Sequence, residues 1–247
     1  MILAAGLGTR LRPLTDNRPK ALVEVGGRTM LEITLASLRA FGVRDVIINT
    51  HHFADMIVEY LEANKNFGMR IEVSREEALL DTGGGLKKAG FFFLDDSGKL
   101  ESPFILHNVD VISTIDLCRM AQFHAENHAL ATLAVQERET SRYLLFDKQF
   151  QLCGRRFGHV RKDEIVRPLR PVYALAFCGV HIISPRLFAM MTEEGAFSII
   201  ACYLRLAALG EKIVAFRADQ YYWRDLGRPE DVLQAAQDAR EKVFPKG

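Results

Sequence analysis

The chain is 247 residues long, 49% hydrophobic and 26% charged, the balance of an ordinary soluble globular protein large enough to bury a substantial core. Its 32 lysines and arginines against 31 acidic residues leave a net charge of +1, so no global field draws it to nucleic acid or to an anionic membrane. Met1–Ala5 is too short for the apolar core of a signal peptide, and no run approaches the roughly eighteen apolar residues of a membrane span, which reads as a cytoplasmic protein with no membrane partner.

Met1–Ala5 is expected as a first strand. A helix follows over Thr29–Ala40, where Thr29 and Glu32 have capping-box spacing and Leu31, Leu35 and Leu38 share a face. Val46–Asn49 reads as a strand, and Ile57, Val58 and Leu61 mark the next helix. Met69–Ser74 reads as a further strand, Gly83–Gly85 as the start of a short helix, and Phe104–His107 as a buried strand. Strand and helix in strict alternation imply parallel strands joined by right-handed crossovers. Beyond Thr140 the rhythm changes: Arg142–Phe146, Phe150–Cys153 and Tyr173–Ile183 read as strands with little helix between them, an added antiparallel or mixed region. Helices return at about Ser198–Leu209 and Pro229–Ala239, the latter with Pro229 at its first position and Glu230 and Asp231 in its first turn. No repeat, low-complexity stretch or Pro/Gly-rich linker divides the chain, so one domain is expected. Cys118, Cys153, Cys178 and Cys202 lie far apart with no CxxC pair, and read as reduced core or helix residues.

The most informative segment is Leu3–Leu22, LAAGLGTRLRPLTDNRPKAL. Gly6 and Gly8 directly follow a strand, where backbone without a Cβ can approach a ligand, and ligands of open α/β sheets bind at the carboxyl ends of strands. Thr9 offers a hydroxyl, Arg10 a planar charged fork suited to phosphate oxygens, and Lys20 a mobile point charge. A Rossmann dinucleotide fingerprint would need a third glycine and a long helix, which Pro13 and Pro19 prevent; a P-loop would need a GK[ST] string, which is absent. A surface loop with solvated arginines is the bland alternative.

GLGTRLRPLT followed by RPKAL resembles the signature of the sugar-1-phosphate nucleotidyltransferases, with muramate-type uridylyltransferases and mannose-type guanylyltransferases closest in look. The resemblance implies an α/β fold of Rossmann-like, glycosyltransferase-A-like type: three α/β/α layers about a mixed, mainly parallel sheet with a small added β region. It implies one domain over residues 1–247, with a nucleotide-binding half at 1–135 and a sugar-binding half at 136–247. Its nucleotide-binding residues would be Leu3, Ala4, Ala5, Gly6, Gly8, Thr9, Arg10 and Lys20, joined by Thr82, Gly83 and Gly84 of the LLDTGGGLKKA stretch, whose backbone groups would reach a base edge. The TGGG form points to UTP, with GTP next.

Asp110 in HNVD and Asp225 in WRDLG stand near apolar runs, where a lone aspartate is commonly a turn or cap residue. Family resemblance makes them the ligands of Mg2+, which takes hard oxygen donors, although Val109 stands where relatives often carry glycine. Asn108, Gly179 and Arg167 are the implied sugar-phosphate contacts, Arg167 in IVRP standing where many relatives have lysine in a Glu-Lys-Pro motif. His51 and His52, adjacent on a strand, would point to opposite faces and do not suit a metal. Phe91–Phe93, Phe177, Tyr221, Tyr222 and Trp223 read as packing residues. The implied reaction joins an NTP to a sugar 1-phosphate, giving an NDP-sugar for polysaccharide or cell-wall synthesis and pyrophosphate, with Arg10, Lys20, Asp110 and Asp225 as the catalytic set. A catalytically silent sugar-nucleotide-binding regulator, and a cytidylyltransferase acting on a phosphate such as phosphocholine, are the alternatives. Monomer and homo-oligomer are equally compatible with the sequence.

Overall fold

The computed structural model describes residues 1–93, 102–157, 162–167 and 171–241. In chain order its elements are β1 (Ile2–Leu3), β2 (Glu24–Val25), β3 (Arg28–Thr29), α1 (Met30–Ala40), β4 (Asp45–Thr50), α2 (Ala54–Ala63), β5 (Arg70–Arg75), α3 (Asp81–Lys88), β6 (Phe104–Asn108) and β7 (Val111–Ser113). There follow α4 (Leu117–Glu126), β8 (Ala131–Gln136), β9 (Arg142–Phe146), β10 (Leu152–Phe157), β11 (Lys162–Ile165), β12 (Tyr173–Ile183), α5 (Ile199–Ala208), β13 (Ile213–Arg217), β14 (Trp223–Asp225) and α6 (Pro229–Arg240). The α/β class read from the sequence holds: a mixed sheet with a mostly parallel core and intervening helices.

Two compact units emerge, and neither is a contiguous half of the chain. The first takes residues Met1–Asp81, His107–Ile115 and Tyr221–Gly247; the second takes Thr82–Leu106 and Asp116–Gln220. In the first unit, β1 lies between β4 and the end of β6, all parallel, with Ile2 opposite Ile48 and His107 and Leu3 opposite Asn49 and Asn108. Strand β5 continues the parallel set beyond β4. Parallel neighbours need a crossover, and α1 and α2 lie within the two crossovers of this unit. Helix α1 starts at Thr29, whose hydroxyl accepts the Glu32 N–H at 3.1 Å. The reciprocal half of the expected capping box is replaced by an ion pair, because the Glu32 carboxylate turns to Arg28 at 2.7 Å. Leu31, Leu35 and Leu38 are buried as the spacing requires, each worth on the order of 2 kcal/mol of apolar transfer. A short antiparallel pair, β7 with β14, sets Val111 opposite Asp225.

The second unit carries the added β region. Strand β12 pairs antiparallel with β8 and β9, β9 with β10, and β10 with β11, while β13 joins β8 in parallel. The strand expected at Phe150–Cys153 starts later, at Leu152, because the Asp147 carboxylate accepts the N–H groups of Gln149 and Gln151, both at 2.9 Å, and holds Phe150 in a turn at φ 56°. Phe93 stacks on Phe104 and Phe188 in the core, but Phe91, expected to pack, is 60% exposed. Cys153, Cys178 and Cys202 are buried free thiols, and Cys118 is exposed on α4. No helix among the described residues is long and apolar enough to cross a membrane.

Candidate active site

The first unit assembles a cationic loop against two carboxylates. After β1 the chain bends at Gly8, whose φ of 65° lies in the left-handed region that only glycine enters freely. A Cβ there would sit 2.9 Å from the Thr15 methyl, so space as well as conformation demands glycine. Short 3-10 turns at Thr9–Leu11 and Lys20–Leu22 replace the long helix that Pro13 and Pro19 exclude. The Leu11 N–H and the Thr15 hydroxyl both donate to the Gly8 carbonyl, at 2.8 and 2.9 Å, which closes the loop on itself. Gly6, Thr9 and Arg10 are left exposed, and Lys20 is half-buried. Leu3 is held in the sheet, Ala5 is buried, and the Ala4 N–H is taken by the Asn49 side chain at 2.8 Å.

Asp110 follows β6 and is 7% exposed. Its carboxylate meets the Lys20 ammonium at 2.6 Å, and its carbonyl accepts the Leu226 N–H at 2.7 Å, tying Asp110 to the WRDLG turn. Asp225 ends β14 and accepts the Gly227 N–H at 2.7 Å. Burial raises the Asp225 carboxyl above the usual carboxylate range, and the negative charge of Asp110 raises it further, while the Gly227 N–H, Arg10 and Lys20 pull it down. Two carboxylates that repel each other thus stand beside one lysine and one arginine. Among the described residues no cluster of three or more His, Cys, Asp or Glu forms; Asp110 and Asp225 are two hard-oxygen side chains that could contribute to a divalent-cation site.

Gly227 is a site residue that the sequence reading passed over, although it stands in the motif quoted for Asp225. A Cβ on it would lie 2.6 Å from Asp225 Oδ1 and 2.8 Å from Arg10 Nη2, so only glycine lets the carboxylate and the guanidinium converge. His107 is buried, and burial lowers its pKa to about 4, which leaves it neutral; its Nδ1 lies 2.8 Å from the Asn108 carbonyl. Asn108 itself ends β6 in the first unit, half-buried.

The other expected contacts lie in the second unit. Thr82 accepts the Ile199 N–H through its hydroxyl at 3.0 Å. The Gly83 and Gly84 N–H groups both donate to the Phe197 carbonyl, at 2.8 and 3.3 Å, so these two amides are already engaged within the second unit. A Cβ on Gly83 would collide with the Phe197 ring and stand 2.9 Å from its carbonyl oxygen. The glycines permit close packing here. Gly179 has φ 73° at a register shift within β12. Arg167 donates to the Gln151 side chain at 2.9 Å; Pro168 of the same stretch lies outside the described residues. His51 sits just past β4, with its Nδ1 2.9 Å from the Glu76 carbonyl.

The sequence model of the nucleotidyl transferase family matches residues 1–242. Among curated proteins, the N-acetylmuramate alpha-1-phosphate uridylyltransferase of Caulobacter vibrioides is 36% identical over 242 residues, covering 95% of this chain and 94% of that protein. The mannose-1-phosphate guanyltransferase of Yarrowia lipolytica is 32% identical over 237 residues, covering 94% of this chain but 61% of its own length, so the chain spans under two thirds of that relative. Among solved structures, the inositol-1-phosphate CTP transferase from T. maritima superposes with a TM-score of 0.75 at 16% identity, covering 99% of this chain and 96% of the other. HddC from Yersinia pseudotuberculosis, complexed with GMP-PN, gives 0.72 at 23% identity, with 96% and 97% covered.

Proposed function

Because the chain belongs to the nucleotidyl transferase family, in which its relatives are sugar-1-phosphate nucleotidyltransferases, we propose that it transfers a nucleotidyl group from UTP, or next from GTP, to a sugar 1-phosphate. The observation that carries this reading is the convergence, within the first unit, of Arg10 and Lys20 from the loop after β1 with Asp110 after β6 and Asp225 at the end of β14. UTP is favoured because the uridylyltransferase relative is matched over 94% of its length, whereas the guanyltransferase of Yarrowia lipolytica is matched over 61% of its length.

The chemistry asks for little from side chains acting as bases. An oxygen of the sugar phosphate, already anionic near neutral pH, forms a bond to the α-phosphorus of the NTP. The bond from that phosphorus to the β-bridging oxygen breaks, and its electron pair leaves on pyrophosphate. The obstacle is repulsion between two polyanions, and preorganised cations lower it. Arg10 presents a fork to phosphate oxygens, and Lys20 brings a point charge on a flexible stem from its position against Asp110. Gly6, 3.8 Å from the Lys20 ammonium at its missing Cβ, leaves room for phosphate at that charge. Asp110 and Asp225 would hold Mg2+, which supplies further positive charge to the phosphates when bound. Asn108, Arg167 and Gly179 are proposed to contact the sugar phosphate, and Thr82 to lie at the nucleotide.

A panel of UTP, GTP, CTP and ATP with N-acetylmuramate 1-phosphate, mannose 1-phosphate and phosphocholine, with Mg2+ present, tests this by pyrophosphate release. Turnover with UTP and a sugar 1-phosphate, abolished by EDTA, is expected. Turnover with CTP and phosphocholine alone would assign the cytidylyltransferase alternative. Binding without any turnover would assign a regulator.

A further inference from the structure

We infer that Asn49 and Glu76, to which no role has yet been given, act as a positioning pair for nucleotide binding. Three adjacent parallel strands end close together: β1 runs into Ala4, β4 carries Asn49, and β5 runs into Glu76. Their side chains form one line of hydrogen bonds across these ends. The Ala4 N–H donates to Asn49 Oδ1 at 2.8 Å, Asn49 Nδ2 donates to Glu76 Oε1 at 2.7 Å, and the Leu80 N–H donates to Glu76 Oε2 at 3.0 Å. The Glu76 backbone is fixed as well, since its N–H donates to the Thr50 carbonyl at 2.7 Å and its own carbonyl lies 2.9 Å from His51 Nδ1.

Both residues are buried, Asn49 at 3% and Glu76 at 4% exposure, and the donors that reach the Glu76 carboxylate are the neutral Asn49 amide and the Leu80 N–H. A buried carboxylate held by neutral donors is costly unless each oxygen is satisfied, and here each is. Donor–acceptor parity then allows one arrangement only. Asn49 must present its oxygen to Ala4 and its amino group to Glu76, and Glu76 must accept at both ends. The consequence is a strap between Ala4, two residues before the first loop glycine, and Leu80. The loop enters its turn from a fixed point, as a site that must hold phosphates at short range requires. Both residues act through the backbone they hold and not on substrate, and the role rests on the nucleotide reading of the Gly6–Lys20 loop.

Parity also supplies the test. Asn49→Asp sets two carboxylates against each other; Glu76→Gln leaves one oxygen for two donors. The double variant Asn49→Asp with Glu76→Gln restores every bond, because the new aspartate accepts from Ala4 and from the new glutamine, whose oxygen accepts from Leu80. Each single variant is expected to raise the KM for UTP by roughly 10–100-fold, the range for a buried group left unpaired, while the KM for N-acetylmuramate 1-phosphate moves less than about twofold. The double variant is expected within about threefold of the parent. Amide exchange at Ala4 and Leu80, read without substrate, should quicken in each single variant and recover in the double. A double variant no better than the worse single, or single variants with the parent's KM for UTP, would overturn the inference. If a single variant does not fold, recovery of folding and of slow exchange in the double supports the strap, and failure of the double sinks it. Absence of turnover in the parent with every NTP would remove the transferase reading instead, and the exchange data would still decide the strap.

Discussion

Two glycine-bearing segments of this chain read alike as sequence and behave differently as structure. In the loop after β1, Gly6 is exposed, and Gly8 takes a left-handed conformation with its carbonyl capped by Leu11 and Thr15. In α3, Gly83–Gly85 are buried in a helix, and the amides of the first two are spent on Phe197. The loop has arginine and lysine within its own stretch and carboxylates brought to it by the fold; the helix has an aromatic residue laid across it. Glycine thus marks close approach in both places, but of a phosphate in one reading and of a neighbouring backbone in the other. What separates them is the destination of the N–H groups and the charge nearby.

If the loop and its two carboxylates are chemical and α3 is architectural, the largest effect belongs to the carboxylates. Asp110→Asn and Asp225→Asn are each expected to lower turnover by about 10²–10³, the scale on which one preorganised electrostatic group acts in a transition state. The melting temperature should change little for Asp225→Asn, since its carboxyl is already raised by burial and by repulsion from Asp110, both of which the neutral amide relieves. Steady-state kinetics and thermal melting on the same preparations separate the two quantities. Wild-type turnover in either variant would remove that residue from the metal site.

Glycine substitutions divide the two segments directly. Gly227→Ala places a methyl 2.6 Å from Asp225 Oδ1 and 2.8 Å from Arg10 Nη2, displacing charged groups that have flexible ends. It is expected to cost up to about 10² in turnover, the loss that follows a misplacement near 1 Å, with a small change in stability. Gly83→Ala meets a ring and a backbone carbonyl that cannot move independently. It is expected to cost about 1–3 kcal/mol of stability, lowering the melting temperature by roughly 2–12 °C, while the folded fraction keeps its turnover. Reversed outcomes, with Gly83→Ala inactive but stable, would return the α3 glycines to the nucleotide site.

Much of the first unit was legible because its signals are local. The Thr29 cap, the Leu31, Leu35 and Leu38 stripe and the β-rich run around Val46–Asn49 each declare an element within a few residues. Strands β8 and β13 carry no such signal: they are buried along nearly their whole length, so neither alternates in polarity. Helix α4 is capped by Asp116, whose carboxylate accepts the Arg119 N–H at 2.9 Å, but it buries only Leu117, Met120 and His124, too sparse an apolar stripe to declare a helix in the sequence. The site divides similarly. Arg10, Lys20, Asp110 and Asp225 could be named through a family pattern, yet Gly227 gains its meaning only when Arg10 arrives from more than two hundred residues away. Asn49 and Glu76 carry no motif at all, and their pairing is a fact of adjacent strand ends.

The finest distinction lies under the loop, where Thr15 touches Gly8 twice. Its hydroxyl donates to the Gly8 carbonyl at 2.9 Å, and its methyl defines the space that excludes a Cβ. Thr15→Val keeps the shape and leaves the carbonyl with the Leu11 N–H as its remaining protein donor; Thr15→Ser keeps the donor and removes the methyl. Loss of one such bond is expected to cost about 1 kcal/mol, seen as a drop of roughly 2–4 °C in melting temperature. Because the carbonyl belongs to the residue that turns the loop, Thr15→Val should also raise the KM for the NTP several-fold, by roughly 5-fold if the same free energy is lost from binding. Thr15→Ser should leave that KM near the parent value. A valine variant that melts lower but binds nucleotide normally would make Thr15 a packing residue, and the loop would then depend on glycine geometry and the Leu11 bond alone.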